Sequence, residues 1–220
     1  MKILNFKNIS HSKDITLIDL KPIDEIISEM NSFRTNKKPS KREFYSYSFG
    51  NKEECKSLFI EAFLKTDLTV KEFEYLSEYD KIIEWMTDTK GKGLALFGSV
   101  GRGKTNVLTY ILPVIFIQHM RKVMSTKLAT EIIKEEIIKS SWYISIDDIG
   151  TESIKNDFGT KTDVVIEAIN HAEQYSKALF LTGNLTEKEL IDRYGLRTLD
   201  RIKRLCKIVV FTGKSLRTWK

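Results

Sequence analysis

The sequence has little of what builds special scaffolds. Two cysteines in 220 residues, Cys55 and Cys206, are too few and too far apart for a disulfide framework or a zinc site, so both are expected as reduced thiols. Three prolines and 11 glycines exclude a collagenous chain and a low-complexity linker. The three histidines, His11, His119 and His171, show no metal-binding or catalytic spacing. No apolar run reaches the roughly 18 residues of a membrane helix, and residues 1–10 lack the apolar stretch of a signal peptide. The expectation is a cytoplasmic protein without a membrane segment. With 41% hydrophobic and 30% charged residues, the chain suits one domain with a small appendage.

Acidic residues run short at one end. The stretch 187–220 holds 10 of the 36 basic residues but only 4 of the 30 acidic ones, which accounts for the whole formal charge of +6. Either an anionic partner, phosphate or nucleic acid, meets this end, or the surface there is simply basic and solvated.

Periodicity organises the rest. Residues 1–40 give weak signals: a short helix over 22–30 (Ile23, Ile26, Ile27, Met30), then a polar basic stretch over 34–42. This reads as a small helical arm with a linker, and it places the division of the chain at residues 1–65 and 66–220. Residues 44–49 alternate aromatic and small polar side chains, a pattern for a short strand whose rings either pack on the main domain or stack on bases. Helical patterns cover 53–64 and 70–86, the second with Val70, Phe73, Leu76, Ile83 and Met86 near one face. After Gly93, apolar runs at 94–97, 142–146, 178–182 and 208–211, with a weaker one at 122–126, alternate with helices predicted over 104–112, 128–139, 162–175 and 187–204. Pro113 is expected to end or kink the first of these helices. The expected fold is α/β, a parallel five-stranded sheet flanked by helices.

Chemistry-bearing residues fall at the ends of those runs. Gly98, Ser99, Val100, Gly101, Arg102, Gly103, Lys104 and Thr105 spell GxxxxGK[ST] between a predicted strand and a predicted helix, with Asn106 next in line. Such a loop turns successive backbone N–H groups toward a phosphate at a helix N-terminus; its Lys reaches the β and γ phosphates and its Thr hydroxyl meets Mg²⁺. Asp147 and Asp148 close the run at 142–146. Beside a P-loop they are expected to hold Mg²⁺ through water (Asp147) and to orient or deprotonate the attacking water (Asp148); alone, the pair is an ordinary turn or cap. Asn184 either contacts the γ-phosphate or the water, or is a loop residue before a capping box formed by Thr186 and Glu189. Arg193, Arg197, Arg201 and Arg204 step by helical spacing, so one helix would align them as a stripe for phosphates, or as a solvated face paired with Glu189, Asp192 and Asp200. Arg217 is a separate candidate.

Taken in order and spacing, 98–105, 146–150 (IDDIG), 182–186 (TGNLT) and 193–201 (RYGLRTLDR) resemble the DnaC-like helicase-loader branch of AAA+ ATPases, with IstB-like transposition helpers as near relatives. The resemblance spans about residues 70–220. It implies a P-loop NTPase of AAA+ type that uses ATP and Mg²⁺, with Asp147 and Asp148 as the acids of the Walker B-type motif. It also implies Asn184 as sensor 1, Arg201 as the arginine finger with Arg197 as the alternative, and Arg217 as a sensor-2-like residue. Relatives of this kind assemble side by side on ATP, bind single-stranded DNA and deliver a hexameric replicative helicase, which the arm would contact here. The sequence departs from that pattern in four ways. Asp148 stands where many AAA+ proteins have glutamate. Thr105 and Asp147 are only 42 positions apart. The arm lacks a cysteine cluster, and a separate helical lid has no room after Arg217. Three readings result: a helicase loader, a transposition helper that binds DNA and a transposase, and an adaptor that binds ATP with little hydrolysis.

Overall fold

Strands that are apolar on both faces need cover on both faces, and the central sheet receives it. The computed structural model describes residues 46–66, 73–133, 142–153 and 163–216 in full, and the secondary structure of 2–4, 17–19, 155–157 and 160–162. Two compact units emerge, Met1–Arg42 and Glu43–Lys220. In the first, β1 (Lys2–Leu4) pairs antiparallel with β2 (Leu17–Asp19). The helix predicted at 22–30 and the basic stretch at 34–42 lie outside the described residues.

The second unit opens with α1 (Lys52–Thr66) and α2 (Glu78–Thr87) and continues into β3 (Gly93–Gly98). Then come α3 (Lys104–Asn106, Val107–Ile111 and Leu112–Met120, taken as one helix), β4 (Lys127–Leu128), β5 (Tyr143–Ile149), the antiparallel pair β6 (Lys155–Asp157) and β7 (Thr160–Thr162), and α4 (Val164–Gln174). It closes with β8 (Ala178–Gly183), α5 (Glu187–Tyr194), α6 (Leu196–Leu205) and β9 (Cys206–Phe211). The sheet order is β4-β5-β8-β3-β9, and every pair in it is parallel. Alternation along β3 divides the core: Leu94 and Leu96 join Phe59, Tyr79, Ile83 and Leu108 on one face, while Ala95 and Phe97 join Val165, Ile169 and Ile202 on the other. Each such side chain contributes about 1.5–3 kcal/mol through burial.

The expected division at residue 65 differs from these units for the same reason. Phe49, Cys55, Phe59, Ala62 and Phe63 lie in the core with α2 and β3, so 46–66 belong to the compact unit of the sheet. The rings of 44–49 serve packing where they are described: Phe49 is buried among Trp85, Phe116 and His119, and the Tyr47 hydroxyl donates to the His119 carbonyl at 3.0 Å.

Four elements depart from the expected pattern. The weak strand at 122–126 is displaced to the two residues of β4, where the helix expected from 128 cannot begin; 129–131 form turns, 132–133 are irregular, and 134–139 lie outside the described residues. The helix expected over 70–86 begins only at Glu78, because 73–76 are irregular. Pro113 does not end α3. That helix runs over Lys104–Asn106, widens into a π-helical turn at Val107–Ile111 and resumes over Leu112–Met120. The wide turn lies just before Pro113, where the missing N–H and the ring would otherwise disturb the preceding turn. Finally, the helix expected over 187–204 is two helices, broken at Gly195 (φ 83°, ψ 155°), a conformation almost confined to glycine. Among the described residues no helix is long and apolar enough to cross a membrane.

Candidate nucleotide site

Parallel strands deliver their carboxyl ends to one edge, and three of them place polar residues there. β3 runs into the P-loop, β5 carries Asp147 and Asp148 just before its last residue, Ile149, and β8 carries Thr182 next to its last residue, Gly183, with Asn184 just beyond. Lys104, at the start of α3, is 6% exposed, and its ammonium donates to the Gly98 carbonyl (2.9 Å), the Ser99 carbonyl (2.7 Å) and Asn184 Oδ1 (2.8 Å). The other end of the same amide, Asn184 Nδ2, donates to Asp148 Oδ1 at 2.9 Å. Asn184 is exposed and yet held at both ends. Thr186 also caps α5 in a full capping box with Glu189, as the loop reading of this segment expects.

Asp147 is almost fully buried, and its Oδ1 accepts from the Thr105 hydroxyl at 3.0 Å and from the Thr182 hydroxyl. β5 slips register against β8 between Ile146 and Ile149, and Asp148 there has φ 57°. Its N–H donates to Thr182 Oγ1 at 2.9 Å. The slip turns Asp148 out of the pleat, so two adjacent carboxylates serve different neighbours. Burial first, then the Asp147 carboxylate, raise the Asp148 carboxyl above its ordinary value; Lys104 opposes this and Glu152 adds to it.

The residues fit a nucleotide with its cation. Thr105 and Asp147 present a hydroxyl and a carboxylate to one point, hard oxygen donors of the kind Mg²⁺ takes. Among the described residues no group of three or more His, Cys, Asp or Glu side chains could hold a metal ion.

Other candidates lie elsewhere. Val100 is exposed at the tip of the loop, and Asn106 is half-buried in the first turn of α3. The Arg102 side chain turns away from the cradle to Glu78 (3.4 Å) and the Lys214 carbonyl (3.3 Å). Glu78 also accepts the Thr212 N–H at 2.8 Å, and Leu216 N–H reaches the Gly101 carbonyl at 2.9 Å, so the segment after β9 is laced to the P-loop. Arg217 lies outside the described residues. The arginine stripe does not form, because Gly195 breaks its helix. Arg193, on α5, reaches Glu152; Arg201 and Arg204, on α6, share Glu173 of α4; Arg197 is exposed. The carboxylates expected to pair with these arginines are mostly the wrong ones, with only Asp200 near Arg204 at 4.0 Å. Sequence reasoning missed Thr182, Glu152, Glu173 and Glu78. Thr182 had a signal, its place at the end of the strand beside Asp147; the glutamates had none.

A P-loop strand with an Asn-bearing strand set between it and the acid-bearing strand decides the architecture. The fold is α/β, a five-stranded all-parallel sheet flanked by helices with a P-loop after its β3 strand. No family model matches the chain, and no curated protein does. Among solved structures the chain is similar to a DnaC helicase loader at 17% identity and a TM-score of 0.49, over 68% of this chain and 98% of that one. It is similar to DnaI at 22% and 0.42, over 81% and 95%. A structure described as a primosome component from Streptococcus pyogenes serotype M3 matches at 21% and 0.39, over 77% and 85%.

Proposed function

We propose that the chain is a Mg²⁺-dependent ATPase that loads or remodels a hexameric replicative helicase on single-stranded DNA, with ATP binding and hydrolysis controlling assembly and release. The observation that carries the chemical half is the continuous link Lys104–Asn184–Asp148 beside the Thr105–Asp147 contact. The partner half rests on the motif resemblance. Bound Mg-ATP supplies the phosphoryl group that is cleaved. P-loop amides and Lys104 bind its phosphate charge, Thr105 and Asp147 offer oxygens to the cation, Asn184 orients the polar end of the site, and Asp148 takes a proton from water. An arginine of the next subunit, Arg201 or Arg197, completes the site, and Arg217 contacts the nucleotide of its own subunit.

Calorimetry with Mg-ATP, followed by phosphate release with single-stranded DNA and helicase present, tests the reading. The wild-type chain is expected to bind, and Lys104→Ala to lose about tenfold or more in affinity. Asp148→Asn should keep binding and lose turnover. A wild-type chain that takes up no adenine nucleotide sinks the proposal. Brisk release by Asp148→Asn refutes the water-activating role, and negligible release by the wild type with both partners present leaves the adaptor reading in its place. Co-purification of a transposase in place of a hexameric helicase would replace the partner with that of the transposition helpers.

A further inference from the structure

Glu152 is a charged side chain that the catalytic scheme does not use, and its side chain is only 3% exposed. Burying a carboxylate is costly unless it is fully paired, and an apolar replacement is often as stable, so a retained buried ion pair points to a role in specifying geometry. Its donors come from two segments. Oε2 accepts the Gly150 N–H at 2.8 Å, inside the turn that carries Asp148. Oε1 accepts Arg193 Nε at 3.1 Å, Arg193 Nη2 at 2.8 Å and the Tyr194 hydroxyl at 2.6 Å, all from α5; Arg193 Nη2 also donates to the Glu152 carbonyl.

The two segments so joined carry the two ends of the Asp148–Asn184 hydrogen bond. The N-cap of α5, Thr186, lies two residues after Asn184. The turn, in its strained form, rests on the same loop: Gly150 has φ 100°, and a Cβ there would stand 2.7 Å from Leu185. The Thr151 hydroxyl closes the turn on the Asp148 carbonyl at 2.7 Å. Asp148 holds its left-handed backbone only while this turn is held.

We propose that Glu152 is a positioning residue for Asp148: its buried carboxylate clamps the 148–152 turn to α5 and so fixes Asp148 against Asn184, an inference that rests on the ATP-site reading above. The clamp bears on Asp148, which acts on water, and meets Lys104 only through the Asn184 amide, so its main effect is on turnover and not on nucleotide affinity. Displacing a reacting group by a fraction of an ångström is enough to cost rate.

The test uses the full chain as wild type, Glu152→Gln, Asp148→Asn and the double variant, with calorimetry for Mg-ATP and single-turnover phosphate release. Glu152→Gln is expected to bind Mg-ATP within about twofold of wild type and to hydrolyse it about tenfold or more slowly. In the Asp148→Asn background it should cost less than about twofold further, since two residues acting through one step are not additive. Wild-type turnover by Glu152→Gln, or an undiminished loss on top of Asp148→Asn, overturns the proposal. If Glu152→Gln does not fold, Arg193→Lys, which keeps the cation and loses the fork, carries the same expectations. Amide exchange needs no nucleotide: Glu152→Gln should lose protection at Gly150 and at Asp148. Unchanged protection at Asp148 refutes the clamp even if the ATP reading stands, whereas lost protection in a chain that binds no nucleotide keeps the clamp and sinks only the ATP reading.

Discussion

A single side chain's environment decides whether its charge helps or harms the fold, and His171 is a clear instance. Its ring lies on Tyr175 with centroids 4.3 Å apart, and its Nδ1 is buried with no hydrogen-bond partner. Burial first, then the Lys177 ammonium, lower its pKa below the ordinary 6.5; burial alone does the same to His119. Both histidines take up a proton more readily when the chain is unfolded. Their contribution to stability is therefore present above about pH 6.5 and is lost as pH falls through the depressed folded values. Thermal melts are expected to show Tm dropping between about pH 7.5 and about pH 5.5. His171→Phe keeps a ring against Tyr175 and removes the titrating group, so its melts should be flatter across that window. An unchanged slope would show that the proton goes elsewhere.

At the scale of elements, Gly195 separates what the spacing of the arginines joins. A Cβ built there meets nothing within 4 Å, so Gly195→Ala changes backbone conformation without a clash. The φ 83°, ψ 155° geometry costs an L-residue about 1–3 kcal/mol, which for a chain of this size lowers Tm by about 5 °C. A melt unchanged by Gly195→Ala would mean that α5 and α6 can merge into one helix. The strands β3, β5 and β8 were legible because the sheet buries them on both faces, the edge strand β9 was legible from its apolar run although Val210 is exposed, and the P-loop was legible because its spacing demands glycines. β4 was not, since two exposed residues carry no periodicity. Neither was the π-helical turn before Pro113, because hydrogen bonds one residue longer leave the apolar pattern of 104–120 intact. Asn184 stayed ambiguous in the sequence because a turn residue and a γ-phosphate sensor use the same amide; what the structure adds is the placement of that amide between Lys104 and Asp148.

For the molecule as a whole, half of the basic C-terminal stretch is an internal matter. Of its ten cations, Arg193, Arg201, Lys203, Arg204 and Lys207 are paired with carboxylates outside or early in the stretch: Glu152, Glu173, Glu187 and Glu84. Charge arithmetic alone would send all ten to phosphates. This pairing also bears on which arginine reaches a neighbouring subunit. Arg201 is 16% exposed and bound to Glu173 at 2.6 Å and to Asn170, whereas Arg197 stands exposed on the first turn of α6 beside Leu196, itself 67% exposed. To act as a finger, Arg201 would have to leave two partners, and one left behind would be a half-buried carboxylate that only Arg204 still holds. Arg197→Ala is therefore expected to abolish ATP-dependent assembly, followed by light scattering with Mg-ATP, and the turnover that depends on it, with Tm unchanged. Arg201→Ala should lower Tm by a few degrees, as loss of a largely buried pair does, and retain assembly. The reverse outcome, an Arg201→Ala chain that melts like wild type but neither assembles nor turns over, would make Arg201 the finger and require α6 to release Glu173 whenever two subunits close on ATP.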